Sequence, residues 1–313
     1  MYRYVIKRLL LMIPVVLGVS FVIFSILAMV PGDPASMILG AGVTQEEVDQ
    51  LNHELGYDRP FLVRYFSYLY DAIFHFDFGT SYATRQEVFP EVMAKAPISF
   101  SIAMNAIIFA GVVGIPIGVL SAVKQYSLLD TIPTFIALFL AAAPAFWVGM
   151  LLMILFSLKL GWLPTGGVET WKGYVLPMLA LGLMYAAQQL RFTRSSMLET
   201  IRQDYIRTAR AKGAAERTVI WKHAMKNALM PVITIIGVNF GGLLGGAIVT
   251  ETLFSIPGLG TYIVNGIKQK DVPVVMAGTM CLAVMFAGIM LCVDLLYAFV
   301  DPRIKAKYSG RRG

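Results

Sequence analysis

Long apolar stretches alternate with short polar segments along the whole chain. About 20 apolar residues are enough for a helix to cross the ~30 Å hydrocarbon layer of a bilayer. The stretches that approach or exceed this length are residues 9–30, 98–123, 131–158, 174–190, 228–250 and 272–300. Apolar residues occur all round each stretch, and in lipid a helix satisfies its own backbone polar groups. The pattern therefore predicts six transmembrane helices, of which only the last contains a charged residue, Asp294.

Composition supports a membrane protein. Hydrophobic residues make up 57% of the 313 residues and charged residues 14%, against about 25% charged in soluble domains. A soluble globular enzyme and a disordered chain are both excluded. Basic residues at positions 3, 7 and 8 precede the first stretch, as in a signal peptide, but the apolar stretch is longer than the ~7–15 residues of such signals. We expect an uncleaved anchor.

The distribution of lysine and arginine predicts the orientation. If the N-terminus lies inside the cell, the inner segments carry 18 basic residues and the outer segments carry 8. Cytoplasmic loops are enriched in lysine and arginine. Both termini are therefore predicted to be cytoplasmic. The predicted organisation is an N-terminal span with an external segment (residues 1–97), a five-span core (98–301) with an inner loop at 191–227, and a basic tail (302–313).

The external segment is the only outer piece of domain size. Thr44 and Glu47 are spaced as a helix-capping box, and Gly56 is a predicted helix stop. Residues 61–78 contain eight aromatic side chains. Aromatic residues favour the membrane interface, so the segment is interpreted either as a helix lying on the membrane or as a ligand-binding platform.

The inner loop predicts two short helices joined at a glycine. Residues 201–212 form the first predicted helix, and Gly213 occupies the position after its end. Apolar residues at 220, 221, 224, 225 and 228 form a stripe on the second helix. The pattern alone leaves two interpretations open: an amphipathic helix held on anionic lipid and a docking surface for a cytoplasmic partner.

Glycines repeat every four residues in the fifth stretch, at Gly237, Gly241 and Gly245. This spacing allows helix backbones to approach closely. Tight helix packing and a moving gate between two subunits would both use these residues.

Several kinds of chemistry lack their sequence signatures. The sequence contains no phosphate-binding loop motif and no G-x-S-x-G nucleophile motif, and its three histidines lie outside the apolar stretches. Asp294, as an intramembrane acid, is a functional candidate or the partner of a basic inner residue. Cys281 and Cys292 lie too far apart along one helix to form a disulfide. The remaining classes are a transport subunit energised by other proteins, a stand-alone carrier or channel, and, third, a membrane enzyme.

Two motifs in the inner loop make a specific resemblance. They are Arg207-Thr208-Ala209-Arg210-Ala211-Lys212-Gly213 and Trp221-Lys222-His223-Ala224-Met225-Lys226-Asn227-Ala228-Leu229-Met230-Pro231. Together they resemble the E-A-A loop of bacterial ABC importer permeases, in the form found in the peptide/nickel group. Arg207 stands where the general motif has glutamate. Other similar segments are Pro31-Gly32-Asp33-Pro34, Asp77 to Ser81, Gly161 to Pro164, Glu251 to Gly260, and Val293 to Arg303.

The resemblance implies an all-α type I ABC importer permease fold with six transmembrane helices and an external segment after the first. It implies a non-enzymatic permease subunit in the bacterial or archaeal inner membrane, with no cofactor of its own. Its partners would be a second homologous permease, two cytoplasmic ATPases that use ATP and Mg²⁺, and an external binding protein. Di- or oligopeptides are the expected substrates, with nickel chelates, glutathione or oligosaccharides as alternatives.

The resemblance also implies roles for particular residues. The predicted ATPase-coupling residues are Arg207, Thr208, Ala209, Gly213, Glu216, Ile220, Trp221 and His223. Between the fifth and sixth stretches, Pro257-Gly258-Leu259-Gly260 predicts a tight turn based at Glu251. This turn is interpreted as a plain connector or as a loop that lines the outer mouth of the pathway.

Overall fold

The computed structural model describes residues 2–30, 34–40 and 42–300, and these form an all-helical chain. The helices are α1 (Tyr2–Met29), α2 (Pro34–Leu39), α3 (Gln45–Glu54), α4 (Phe61–Tyr70), α5 (Val88–Val123), α6 (Leu128–Ala142), α7 (Ala145–Leu152), α8 (Val175–Ile201), α9 (Asp204–Ala211), α10 (Glu216–Thr218), α11 (Met225–Leu253), α12 (Leu259–Lys268) and α13 (Val272–Val300). Turns of π-helix cover Asp71–His75, Met153–Lys159 and Val219–Ala224, and a 3₁₀ turn covers Trp171–Tyr174. The segment at residues 31–34 lies mainly outside the described residues, and the predicted tail at 302–313 lies wholly outside them.

Four helical runs in the described residues are long and apolar enough to cross a membrane: Val5–Met29, Val88–Val123, Glu216–Leu253 and Val272–Leu295. A bent pair, α6 with α7 and the π-helical turn after it, makes a fifth candidate. Helix α8 covers the fourth predicted stretch and continues into the basic segment after it. These findings support four or five spans by length and composition, and a count of six stays a prediction.

The third predicted span is not one continuous helix. Helix α6 ends at Ala142, Ala143 adopts an extended conformation, and α7 begins after Pro144. The two halves meet at 107°. Proline lacks an N–H group and disfavours helical geometry in the residue before it. The single helix predicted over residues 131–158 is therefore wrong: the structure has two helices separated by a break at Ala143 and Pro144.

The described residues divide into two compact units. The first unit comprises residues 2–8, 99–256 and 288–300 and contains the inner loop. In it, α5 packs closely on α8 through two glycines four residues apart. A Cβ added at Gly114 would lie 2.5 Å from the Ala186 carbonyl oxygen, and one at Gly118 would lie 2.7 Å from the Leu190 carbonyl oxygen. The two backbones can approach this closely only because glycine has no side chain.

A buried ion pair also ties α6 to α8 in this unit. The Arg194 guanidinium donates to both carboxylate oxygens of Asp130, at 2.5 Å and 2.8 Å. The Asp130 carboxylate also accepts from the Tyr126 N–H at 3.0 Å. Only 5% of the Asp130 side chain is exposed. One carboxylate thus fixes the turn before α6 and the position of α8.

The second unit comprises residues 9–98 and 257–287. Helix α4 packs against α1, where the Tyr65 hydroxyl contacts Ser20 Oγ at 2.9 Å and donates to the Leu17 carbonyl at 3.0 Å. Near the start of α5, Val88 and Val92 pack against Leu259 of α12. The capping box predicted at α3 is confirmed: the Thr44 N–H donates to Glu47 at 2.8 Å, and the Glu47 N–H donates to Thr44 Oγ1 at 3.4 Å.

Ser81 connects the external segment to the start of α13 within this unit. Its hydroxyl donates to the Asp271 carboxylate at 2.5 Å, and both side chains are buried. The Asp271 N–H in turn donates to the Gly266 carbonyl at 2.8 Å. The motif that contains Ser81 therefore holds the external segment against the turn between α12 and α13.

Candidate functional site

The inner loop forms a sharp projection whose apex is Gly213. The predicted helix at 201–212 is interrupted, because α8 runs on to Ile201 and α9 starts only at Asp204. Helix α9 ends before Gly213, which has φ +78°, and α10 begins three residues later. An L-residue rarely adopts this φ, whereas glycine does so readily. The predicted reversal at Gly213 is thus present, although a side chain there would meet no atom within 4 Å.

An ion pair closes the projection across this apex. The Arg210 guanidinium donates to both carboxylate oxygens of Glu216, at 2.6 Å and 3.1 Å. Hydrogen bonds from Arg210 lower the pKa of Glu216, and the carboxylate raises the pKa of Arg210. A second link joins Asn227 Nδ2 to the Tyr205 hydroxyl at 2.8 Å. These links hold α9 in a fixed position relative to the start of α11.

The inward face of the projection packs on the unit that carries it. Ile206 and Val219 are fully buried, and only 5% of Ile220 is exposed. Their neighbours in this core include Val119 and Met197. The structure therefore places Ile220, one of the predicted coupling residues, inside the chain's own core rather than on the surface.

The outward face carries most of the other predicted coupling residues. Arg207, Thr208, Gly213 and Glu216 are exposed, while Ala209 and His223 are half-buried. Trp221 is 53% exposed, although the sequence placed it on the same apolar stripe as Ile220. An exposed indole and the exposed Lys222 and Arg207 on the same projection can pack apolar area and donate hydrogen bonds to a protein partner.

The predicted outer turn is largely buried. The Glu251 side chain has no exposed area, and its carbonyl accepts the Ile256 N–H at 2.8 Å. Ile256 and Leu259 also have no exposed area, and Gly258 caps the start of α12. Both apolar residues therefore belong to the buried core of the chain. Pro257 is the exposed residue of the turn.

The three predicted packing glycines differ in their surroundings. A Cβ at Gly237 would collide with the Val293 side chain, and Gly241 is buried. Gly245 is exposed, and no atom lies within 4 Å of its Cβ position. Among the described helices, the closest approach of a glycine to the backbone of another helix is made by Gly114 and Gly118, which are not among the predicted packing glycines. Their four-residue spacing in the second apolar stretch was the available signal.

Asp294 has a basic partner near the other end of the chain. Its carboxylate lies 3.0 Å from the Arg8 guanidinium. This agrees with the interpretation that the intramembrane acid pairs with a basic residue. In the described residues, no group of three or more His, Cys, Asp or Glu side chains could hold a metal ion.

Comparisons with known proteins identify the family. Residues 114–306 match the family described as "Binding-protein-dependent transport system inner membrane component", and residues 1–103 match its N-terminal component. A dipeptide transport system permease protein of Alkalihalophilus pseudofirmus is 41% identical, over 97% of this chain and 100% of that protein. A glutathione transport system permease protein of Escherichia coli K12 is 39% identical, over 98% of this chain and 100% of that protein.

Solved structures show the same fold at low sequence identity. A chain of the inward-facing MetNI methionine ABC transporter superposes with a TM-score of 0.57 at 17% identity, covering 67% of this chain and 96% of that chain. An amino acid ABC transporter chain gives a TM-score of 0.55 at 11% identity, with coverages of 67% and 94%. With the family match spanning most of its length, this chain belongs to the binding-protein-dependent transport system inner membrane components, as an ABC transporter permease of the peptide/nickel group.

Proposed function

We propose that this chain is one of two permease subunits of an ATP-driven importer for di- or oligopeptides, and that it forms half of the translocation pathway. End-to-end similarity to a dipeptide permease at 41% identity supports the peptide substrate. Similarity at 39% to glutathione permeases supports glutathione, itself a tripeptide, as the second candidate. If the substrate were a nickel chelate or an oligosaccharide, this chain would have the same role and the binding protein would differ.

The observation that carries the coupling role is the projection at Gly213. The Arg210–Glu216 ion pair closes the projection, and its inward face packs in a buried apolar core that includes Ala228 of α11. A force applied to its outer face would therefore be transmitted to α11. We propose that Arg207 and Trp221 contact a cytoplasmic ATPase. Ile220 would support this contact from inside. ATP and Mg²⁺ would be bound and used by the two ATPases, and this chain would hydrolyse nothing itself.

The charge asymmetry supports an orientation with both termini and the projection in the cytoplasm of a bacterial or archaeal cell. Segments 31–97 and 251–271 would then face the external binding protein. At the outer turn, the exposed Pro257 is the proposed contact with that protein, while Gly258, Leu259 and Gly260 hold the turn in place. Gly245 lies exposed on α11, where the second permease would pack or a gate would move.

Reconstitution into liposomes tests the proposed function. The chain with its paired permease, two ATPases and loaded binding protein should take up peptide when ATP is present on the ATPase side. The chain alone should neither hydrolyse ATP nor pass peptide. Uptake by the chain alone, driven by a proton gradient, would instead establish a stand-alone carrier.

Single cysteines test the orientation. In a background without Cys281 and Cys292, cysteines at Tyr57 and Thr218 should react with an impermeant reagent from opposite sides of the membrane. Labelling of both from the same side would contradict the proposed topology.

A pair of substitutions tests the outer turn. Pro257→Ser should reduce the stimulation of ATPase activity by loaded binding protein and leave thermal stability unchanged. Leu259→Ser, which alters a fully buried residue, should lower stability. A normal response to binding protein in Pro257→Ser would make the turn a connector only.

A further inference from the structure

A cavity of about 400 Å³ lies within the second unit, among the external segment, α4 and the start of α13. Three arginines line it: Arg59, Arg64 and Arg85. The one acidic lining residue is Asp71, whose carboxylate lies 3.4 Å from the ring of His75. The cavity lining therefore carries a formal charge of +2 when three arginines are set against one aspartate.

The arginines retain donors for a ligand. In the described part of the chain, none of the three lies within 4.0 Å of a carboxylate oxygen, whereas Lys95, the fourth basic residue of the external segment, pairs with Glu91 at 2.6 Å. Arg64 lies over the Tyr57 ring at 4.1 Å, and Arg85 donates to the Ile38 carbonyl. Each guanidinium has five N–H donors. Several remain for an anion, and the planar guanidinium of arginine can donate two parallel hydrogen bonds to a pair of phosphate oxygens.

A buried hydroxyl adds an independent sign of a ligand. Tyr68 lines the cavity, and its hydroxyl has almost no exposed area and no hydrogen-bond partner among the described residues. A buried polar group without a partner is costly, so such a group inside a cavity indicates a polar ligand or water. Burial raises the pKa of Tyr68, so its hydroxyl stays a neutral donor.

Helix α4 and the π-helical turn after it present three faces. One face is buried and includes Tyr65 and Leu69. A polar edge with Arg64, Ser67 and Asp71 lines the cavity. The remaining face is apolar and exposed, and its residues are Leu62, Val63, Phe66, Tyr70, Ile73 and Phe74, each 49–68% exposed. An exposed apolar helix face with aromatic residues is typical of a helix at the surface of a bilayer.

We propose that this cavity binds the phosphate headgroup of an anionic phospholipid, whose acyl chains lie along the exposed face of α4. The arginines select the negative charge, the Tyr68 hydroxyl donates to a phosphate oxygen, and the apolar face distinguishes a lipid from a soluble anion. This inference does not depend on which substrate the transporter carries.

Thermal denaturation of the purified, delipidated full-length chain in a neutral detergent tests the proposal. Short-chain phosphatidylglycerol should raise the melting temperature, and the rise should level off as the lipid concentration increases. Short-chain phosphatidylcholine should require an about tenfold higher concentration, because it carries no net charge. Inorganic phosphate and acetate should have no saturable effect at the same concentrations.

Charge-removing variants locate the site. Arg59→Gln combined with Arg64→Gln should weaken phosphatidylglycerol binding about tenfold or more. Arg59→Gln alone, at an exposed position without a carboxylate partner, should weaken it by a smaller factor and keep the fold. Lys268→Gln removes an exposed charge from the same unit outside the cavity and serves as the matched control.

Four results would overturn the proposal. Equal affinity for phosphatidylcholine would remove the role of the arginines. If phosphate raised the melting temperature as much as phosphatidylglycerol does, the cavity would be a site for a free anion. If acetate did so, the cavity would be a site for a carboxylate, such as that of a protein. Unchanged phosphatidylglycerol binding in the variants with altered arginines would place the lipid elsewhere.

Discussion

Asp130→Asn should destabilise the first unit strongly. The substitution keeps the shape of the side chain but leaves Arg194 opposite a neutral amide. Removing one partner of a buried ion pair costs about 3–5 kcal/mol. The Arg194 side chain is 26% exposed, which lets water solvate part of the unpaired charge, so we expect about 3 kcal/mol. The Tyr126 N–H also loses its ionised acceptor, at 3.0 Å in the wild type.

The assay is a thermal melt of the purified chain in detergent. At about 2–4 °C per kcal/mol, a loss of about 3 kcal/mol lowers the midpoint by roughly 6–12 °C. Arg194→Gln should have a similar effect, because it leaves the Asp130 carboxylate unpaired. The double variant should lose clearly less than the sum of the two single losses, because it leaves no unpaired charge. Arg210→Gln, at an exposed ion pair, is the matched control and should shift the midpoint little. Additive losses for Asp130 and Arg194, or single shifts below about 1 °C, would refute the reasoning.

Three further predictions concern the projection and the glycines. Gly213→Asp should lower the stability of the chain by about 1 kcal/mol or more, because residue 213 has a φ of +78°. The same variant should uncouple ATP hydrolysis from uptake. Trp221→Ala should weaken ATPase binding in a pull-down without changing the melting temperature. Normal transport by both variants would exclude the projection from coupling. Gly118→Val should lower the melting temperature, because overpacking against a backbone costs about 1–3 kcal/mol. Gly245→Val should leave the isolated chain stable and impair pairing with the second permease. Similar melting temperatures for the two variants would contradict the packing argument. Glu216→Gln should lower the stability by less than ~1 kcal/mol, because the ion pair with Arg210 is exposed. Since Arg210 lowers the pKa of Glu216, the wild type should be the more stable protein at neutral pH and lose this difference as acid protonates the carboxyl. A series of thermal melts at falling pH would measure the difference.

Features set by neighbouring residues were predictable from the sequence. The apolar stretches, the Thr44–Glu47 capping box and the reversal at Gly213 depend on local spacing and on the φ that glycine allows. The exposed face of the projection was partly predictable for the same reason, because its motifs are continuous in the chain. Arg207 and Trp221 are exposed on this face.

Features set by distant residues were not predictable. Ile220 looks like an exposed apolar residue in its own helix, and its burial depends on Val119, about 100 positions earlier. Leu259 is buried by Val88 and Val92 in the same way. Pro144 predicts a disturbed helix, but the bend of 107° depends on how both halves pack on α8. A single sequence reports the residue types at these positions and not their partners.

Helix α11 is a long, continuous connection between the projection and the opposite end of the first unit. It runs unbroken for 29 residues from Met225 to Leu253, about 43 Å at 1.5 Å per residue. At its far end the Phe254 carbonyl accepts the Gly167 N–H at 3.1 Å, and Gly166 packs against the same carbonyl. A tilt of only ~5° about one end of such a rod displaces the other end by ~4 Å, which is comparable to a helical turn. A small rotation at the projection would therefore displace the opposite end of the unit by several ångströms, and the loop at Gly166 and Gly167 would be carried with it through its contacts with Phe254.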